Sequence, residues 1–155
     1  MRKKWEDEAK KRMENQILSE NITANNNIYY IENSCYEQTL DVYYPKNTTE
    51  DLPALIVVHG GGLFSSSKDE TRFYCYMLAE KGFVVFNINY RLVPKVYLQN
   101  QIEDVYNAFC WIENNSNKYP IKTEHSLLQA ILQELFSFTC NPSHLQRKTA
   151  KKFIN

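Results

Sequence analysis

Glycine is almost missing from this chain: 155 residues contain four, three of them in one block, Gly60-Gly61-Gly62, and the last at Gly82. Any motif that depends on a glycine turn is therefore excluded after residue 82. Net charge is missing too. Lys plus Arg and Asp plus Glu are both 18, so no field draws nucleic acid or an anionic membrane surface. Nor does charge hold copies apart, with a pI near 6.8. No apolar run reaches the length of a membrane span. Met1-Arg2-Lys3-Lys4-Trp5-Glu6-Asp7-Glu8 has basic residues with no apolar segment behind them. That excludes a secretory leader and makes a cytoplasmic location the expectation. Cys35, Cys75, Cys110 and Cys140 lack any C-x-x-C spacing, which favours free thiols over a zinc site. Asn21, Asn47 and Asn114 begin Asn-x-Ser/Thr triplets, which carry no weight without export. The length suits one modest domain.

What is present gathers in Ala54-Leu55-Ile56-Val57-Val58-His59-Gly60-Gly61-Gly62-Leu63-Phe64. The five leading apolar residues, three of them β-branched, predict a strand buried on both faces, as in a parallel sheet. The glycines let the backbone turn sharply and bring bare N–H groups close to a ligand. Donors converging from a loop at the end of a buried strand suit an oxyanion. A phosphate loop is excluded, since no Lys-Ser/Thr follows at the required spacing.

On either side the pattern alternates between element types. Trp5, Ala9, Met13 and Ile17 recur every four residues, predicting a charged helix over 3–19; an Asn-rich turn over 21–27 follows. Segments 28–31 and 38–44 predict an antiparallel hairpin joined through Asn33-Ser34. In its second strand Leu40, Val42 and Tyr44 alternate with Thr39, Asp41 and Tyr43, the pattern of a half-buried strand. A Pro-bounded loop, 45–53, leads into the central apolar run. Ser67 and Glu70 form a capping box for a helix over 68–81 that buries Phe73, Tyr76 and Met77 and stops at Gly82. A second buried strand is predicted over 83–88. Leu98, Ile102, Val105, Phe109 and Ile112 then form the stripe of a helix over 98–114. Strand and helix in alternation argue for an α/β chain with a mostly parallel sheet and right-handed crossovers.

The block His59-Gly60-Gly61-Gly62 in this setting resembles the oxyanion loop of α/β-hydrolases of the esterase and lipase type. Leu40-Asp41-Val42-Tyr43-Tyr44-Pro45, the capped helix, the second buried strand, Tyr90-Arg91-Leu92 and Glu103-Asp104 extend the likeness over about residues 25–120. Together they are similar to the N-terminal half of an esterase related to hormone-sensitive lipase or to bacterial acetyl and feruloyl esterases. The resemblance implies an incomplete α/β-hydrolase fold, since a whole domain takes roughly 250–300 residues. The chain then divides into a charged helix and linker (1–24), the hydrolase portion (25–120) and a tail (121–155). By the same resemblance the N–H groups of Gly61 and Gly62 form the oxyanion hole, each worth about 3 kcal/mol in a transition state, with His59 and Gly60 supporting the loop. Leu63, Phe64 and Tyr90 would line a pocket. The alternatives are that Leu63 and Phe64 pack on the following helix and that Tyr90, with Arg91, braces the loop from beneath. Asp104 has a family counterpart that serves structure; Glu103 beside it points elsewhere on a helix, so the two are no paired-carboxylate site. The implied chemistry is hydrolysis of a small carboxylic ester through a serine acyl-enzyme, without metal or cofactor.

That chemistry needs a serine in G-x-S-x-G, followed by an acid and a histidine, and nothing after Tyr119 supplies one. His125 and His144 stand in polar, unpatterned surroundings and are not expected to replace the triad, so the chain as written is expected to be inactive. A shifted reading frame holds the missing motif. Codons permitted for His125 through Leu135, read from the third base of the first, give Phe-Phe-Ile-Thr-Gly-Asp-Ser-Ala-Gly-Ala. This is a strand entering a nucleophile elbow, its serine straddling the codons of Ile131 and Leu132. The expectation is a frame change between about residues 119 and 125 and an out-of-frame tail. The alternative is a genuine helix bearing Leu127, Leu128, Ile131, Leu132 and Leu135. Without the serine's strand the edge of Leu55 to Val58 is expected to lie uncovered and to invite self-association. Beside the truncated esterase stand two other readings: a binding or regulatory remnant, and a fragment that joins a separately made C-terminal half.

Overall fold

The computed structural model describes residues 19–122 together with the backbone of 129–132. The predicted helix over 3–19 lies outside the described residues except for Ser19, and His125, His144 and Cys140 lie outside them entirely.

The two apolar runs form the centre of a sheet. Ala54–Val58 (β3) and Val84–Ile88 (β4) are buried at every position and pair in parallel, with Ile56 opposite Phe86. Thr39–Pro45 (β2) joins the far side of β4 antiparallel, and Ile22–Tyr29 (β1) joins β2 antiparallel as the expected hairpin. A fifth strand, Gln129–Leu132 (β5), runs parallel to β3, giving the order β1-β2-β4-β3-β5. Lys68–Glu80 (α1) and Leu98–Asn115 (α2) follow β3 and β4. Tyr43, Val57 and Val85 pack with Cys75 and Ala79 of α1. Leu40, Val42, Ile56, Val58, Phe86 and Ile88 form a larger cluster with Ala108 and Ile112 of α2. Gly82, at φ +89°, ends α1 in the left-handed region where a side chain is disfavoured.

Several expectations need correction. The Asn-rich segment is strand, not turn: β1 is an outer strand with Ile22 its one buried residue, so polar side chains cost little. Asn27, at a register shift between Asn25 and Ile28, turns its amide inward. Strand β2 is buried on both faces from Thr39 to Tyr43, because Asp41 finds a cation. The Nζ of Lys68, the first residue of α1, lies 2.6 Å from Asp41 Oδ1 with both side chains fully buried. Tyr43 donates to Asp41 Oδ2 at 2.7 Å, Asn27 N–H donates to Asp41 Oδ1 at 2.8 Å, and Lys68 Nζ donates to Asn27 Oδ1 at 2.8 Å.

The helices also turn faces other than those expected. Helix α1 buries Lys68, Cys75 and Ala79, with Phe73 and Tyr76 half-buried and Met77 exposed; small residues at its contact let it lie close to the sheet. Its cap is Ser67 accepting from the N–H of Asp69, one residue short of the position a capping box uses. Helix α2 buries Gln101, Asp104, Ala108 and Ile112, while Ile102 of the expected stripe is exposed. Finally, the β3 edge is not bare, and residues 129–132 are strand, not helix. Leu55 to Val58 pair with Gln129 to Leu132, so among the described residues the outer strand on that side is β5.

The buried pair yields a stability prediction. Removing one charge of a buried ion pair strands the other, at a typical cost of about 3–5 kcal/mol. Lys68→Met is expected to lower the unfolding free energy by that order in urea titration, and Lys68→Met with Asp41→Asn to lose less than the two single losses added.

Candidate active site

The candidate site begins where β3 leaves the sheet. His59 is fully buried, and its ring stacks on that of Tyr90, the centroids 4.3 Å apart and the planes 9° from parallel. Its Nδ1 lies 2.9 Å from the Gly60 carbonyl; a carbonyl only accepts, so Nδ1 carries the hydrogen. Nε2 is buried with no hydrogen bond of normal geometry. Burial pulls the pKa down to about 4, with the Gly60 carbonyl and the Asn89 side chain opposing that pull. The imidazole is thus neutral at pH 7 and serves as a flat support.

Beyond His59 the backbone enters the left-handed region and stays there for three residues: Gly61 at φ +114°, Gly62 at +61° and Leu63 at +73°. Gly61 allows no substitute, because a Cβ there would lie 2.2 Å from the Ser65 carbonyl oxygen. Leu63 is the costly one, since a non-glycine residue in this region is held only by its surroundings. Its side chain packs against the larger core cluster, and its carbonyl is held by polar groups. The Leu63 carbonyl accepts from Val93 N–H at 3.1 Å and from Gln101 Nε2 at 2.9 Å.

Most of the loop's carbonyls find donors within the fold. His59 O accepts from the Tyr90 hydroxyl at 3.0 Å, Gly60 O from His59 Nδ1, and Gly61 O from Ser65 Oγ at 2.8 Å and from the N–H groups of Phe64 and Ser65. Nothing among the described residues accepts from the N–H of Gly61 or of Gly62. The carbonyls of 59, 60, 61 and 63 are satisfied within the fold, that of the exposed Gly62 is not, and among the described residues the N–H groups of Gly60 and Leu63 stand open beside those of Gly61 and Gly62. A negatively charged oxygen is the partner this arrangement suits.

The remaining sequence candidates divide by depth. Phe64 is exposed and Leu63 half-buried against the larger core cluster. Tyr90 is 1% exposed and meets His59, not solvent, and burial pushes its hydroxyl pKa up. Arg91 and Asp104 form a two-pronged ion pair, Nε to Oδ2 at 2.8 Å and Nη2 to Oδ1 at 2.7 Å; Arg91 N–H and Gln38 Nε2 complete the carboxylate's partners. Glu103 is exposed. Sequence reasoning passed over Gln101, Asn89 and Tyr30. Tyr30 donates to the Asn89 carbonyl at 2.9 Å, and Asn89 Oδ1 accepts from Lys68 N–H at 3.2 Å. A signal existed for Gln101: it stands three residues before Asp104, on the same helix face. Among the described residues no His, Cys, Asp and Glu group is placed to hold a metal ion, and no helix is long and apolar enough to cross a membrane.

This loop lies inside a recognisable stretch, since the BD-FAE family pattern matches residues 40–129. The chain belongs to the BD-FAE family. Esterase B of Lactobacillus rhamnosis superposes with a TM-score of 0.76 at 29% identity, over 82% of this chain and 41% of that one. Arylacetamide deacetylase of Bos taurus is 32% identical over 102 residues, 61% of this chain and 25% of that protein. Kynurenine formamidase of Danio rerio is 41% identical over 58 residues, 37% of this chain and 20% of that protein. The BD-FAE chain therefore spans about two fifths of esterase B and a quarter or less of these two curated relatives. Its fold is the N-terminal portion of an esterase-type α/β-hydrolase.

Two outcomes follow for the loop. Gly61→Ala forces a clash with backbone as well as a disfavoured φ, and is expected to cost about 2–4 kcal/mol in thermal or urea unfolding. His59 sets a pH dependence. Its folded pKa, about 4, lies below the ordinary 6.5, so the unfolded chain takes up the proton first. The stability it lends is complete above about pH 6.5 and erodes, by up to about 3 kcal/mol, as pH falls towards 4. Comparing wild type with His59→Phe across pH 4 to 7 isolates this slope, which the variant is expected to lose.

Proposed function

We propose that this chain carries the oxyanion-holding part of a serine hydrolase acting on small carboxylic esters, and that it is inert as written. The observation that carries the reading is a pair of glycines at positive φ, Gly61 and Gly62, whose N–H groups meet no acceptor among the described residues, on a loop whose carbonyls at 59, 60, 61 and 63 are bonded within the fold. Such a pair stabilises the oxyanion that forms when a nucleophile adds to an ester carbonyl, at about 3 kcal/mol per donor. The names of the relatives, an esterase, a deacetylase and a formamidase, agree with cleavage at an acyl carbonyl, and esterase B is described with a tributyrin phosphonate inhibitor. Phe64 is exposed on the loop, where an acyl chain would rest, while Leu63 packs against the larger core cluster.

The nucleophile is assigned to a shifted frame. The codons of Ile131 and Leu132 encode the residues in register with Val57 and Val58. A serine elbow written across them would emerge beside His59, within reach of the glycine donors. This supports a frame change ahead of residue 125, with the remainder of the hydrolase beyond it. A second reading has its own support. The outer edge of β5 is where a separately made C-terminal half, or a second copy of this chain, would add strands.

Turnover of p-nitrophenyl acetate separates these. The purified chain is expected to show no rate above buffer; a rate abolished by a serine-directed inhibitor overturns the claim of inertness. Co-expression with the downstream frame is expected to restore turnover only under the second reading. The gene across codons 115–140 decides the first: if no frame of the true codons reads G-D-S-A-G, the frame change is wrong.

A further inference from the structure

Gln101 is fully buried on the inner face of α2. Its Nε2 donates to two carbonyls, that of Leu63 at 2.9 Å and that of Arg91 at 2.9 Å. Its own Oε1 is buried with no partner. The opposite amide orientation would set Oε1 against both carbonyl oxygens, acceptor against acceptor, so the observed one is the orientation these neighbours impose. A buried amide that leaves its oxygen unsatisfied bears a real cost, and no apolar contact requires an amide at this point of α2. What the amide supplies is two donors, one to each of the segments meeting there.

Those segments are the glycine loop and the Tyr90-Arg91-Leu92 strand exit. Leu63 ends the three-residue left-handed run, and its carbonyl is fixed by Gln101 and Val93 together. Next to Arg91 O, the Arg91 guanidinium is held by Asp104, one turn along the same helix. Helix α2 thus grips the strand exit twice and the glycine loop once, and Gln101 is the residue that touches both.

We propose that Gln101 is a positioning residue for the oxyanion loop: it holds Leu63 in its left-handed conformation and so keeps the Gly61 and Gly62 N–H groups aimed together. The proposal rests on reading those two groups as donors to a substrate oxygen, and the test separates the two claims. Gln101→Met keeps the side chain's length and volume and removes both donors. By NMR, amide exchange at Phe64, Ser65 and Val93 is expected to speed up tenfold or more in this variant, with the β4 amides unchanged. Titration with butyrate, a carboxylate stand-in for the oxyanion, is expected to move the Gly61 and Gly62 amide signals in wild type and to need a several-fold higher concentration in the variant.

Unchanged exchange at Phe64, Ser65 and Val93 overturns the positioning role. Uniform acceleration of loop and β4 amides overturns it as well, since Gln101 would then support the whole fold and not the loop. If butyrate leaves Gly61 and Gly62 unmoved in wild type, the donor reading fails, while exchange still decides whether Gln101 holds the loop. Should the methionine variant not fold, wild type suffices: the Gln101 side-chain amide protons are expected to exchange far more slowly than those of free glutamine. Equal rates overturn the proposal.

Discussion

The structure around the candidate site depends on one constraint: a short left-handed backbone run has the carbonyls on either side of exposed Gly62 satisfied from within, while N–H groups of its glycines meet no acceptor among the described residues. Apolar packing cannot impose this, because it does not distinguish donors from acceptors. Here the task falls to polar side chains reaching from three places. Tyr90 comes from the segment after β4, Gln101 from α2, and Ser65 and His59 from the loop itself. Each is buried or nearly so, where an unmet hydrogen bond is most costly. Breaking these bonds would leave further buried polar groups unpaired.

The same logic extends to the far side of the sheet. Lys68 follows the loop directly, and its backbone N–H and carbonyl are bound by Asn89 and Asn87 while its side chain meets Asp41. The start of α1 is therefore tied at three points to β2 and β4. Removing the amine would leave Asp41 with Tyr43 and Asn27 as neutral donors, a setting in which a buried carboxylate is poorly compensated. Lys68 follows the loop along the chain, so polar contacts run in close succession from Asp41 through Lys68, Ser65 and Leu63 to Gln101.

That continuity explains which parts of the fold were legible in the sequence. Ala54–Val58 and Val84–Ile88 announce themselves because five consecutive apolar residues admit few readings. The His59 to Gly62 block identifies its family because its glycines answer to backbone geometry, as Gly61 shows. What stayed hidden is the polar interior. A pattern of apolar positions assigns Gln101, Asp104, Asp41 and Lys68 to water, and all four are buried. The face of α2 was misplaced for that reason, and β2 was read as half-exposed. Strand β1 was legible only at its end, Ile28 and Tyr29, because an outer strand buries too little to leave an apolar signal further back; its Asn27 serves the ion pair.

The tail poses the remaining physical question. A strand as apolar as β3 is unstable with one edge open, and the fold answers with Gln129 to Leu132, paired in register over four residues. Backbone pairing needs only an extended segment of the right length at the right place, and it makes little demand on side-chain identity. An elbow makes the opposite demand: without glycine the chain cannot turn sharply enough to lift a serine clear of its strand. The segment at 129–132 satisfies the first condition and, lacking glycine, cannot meet the second. Covering the edge and supplying the nucleophile are thus separable functions of one strand position. This chain retains the first; on the function proposed above, the donors of its glycine loop act only beside the second.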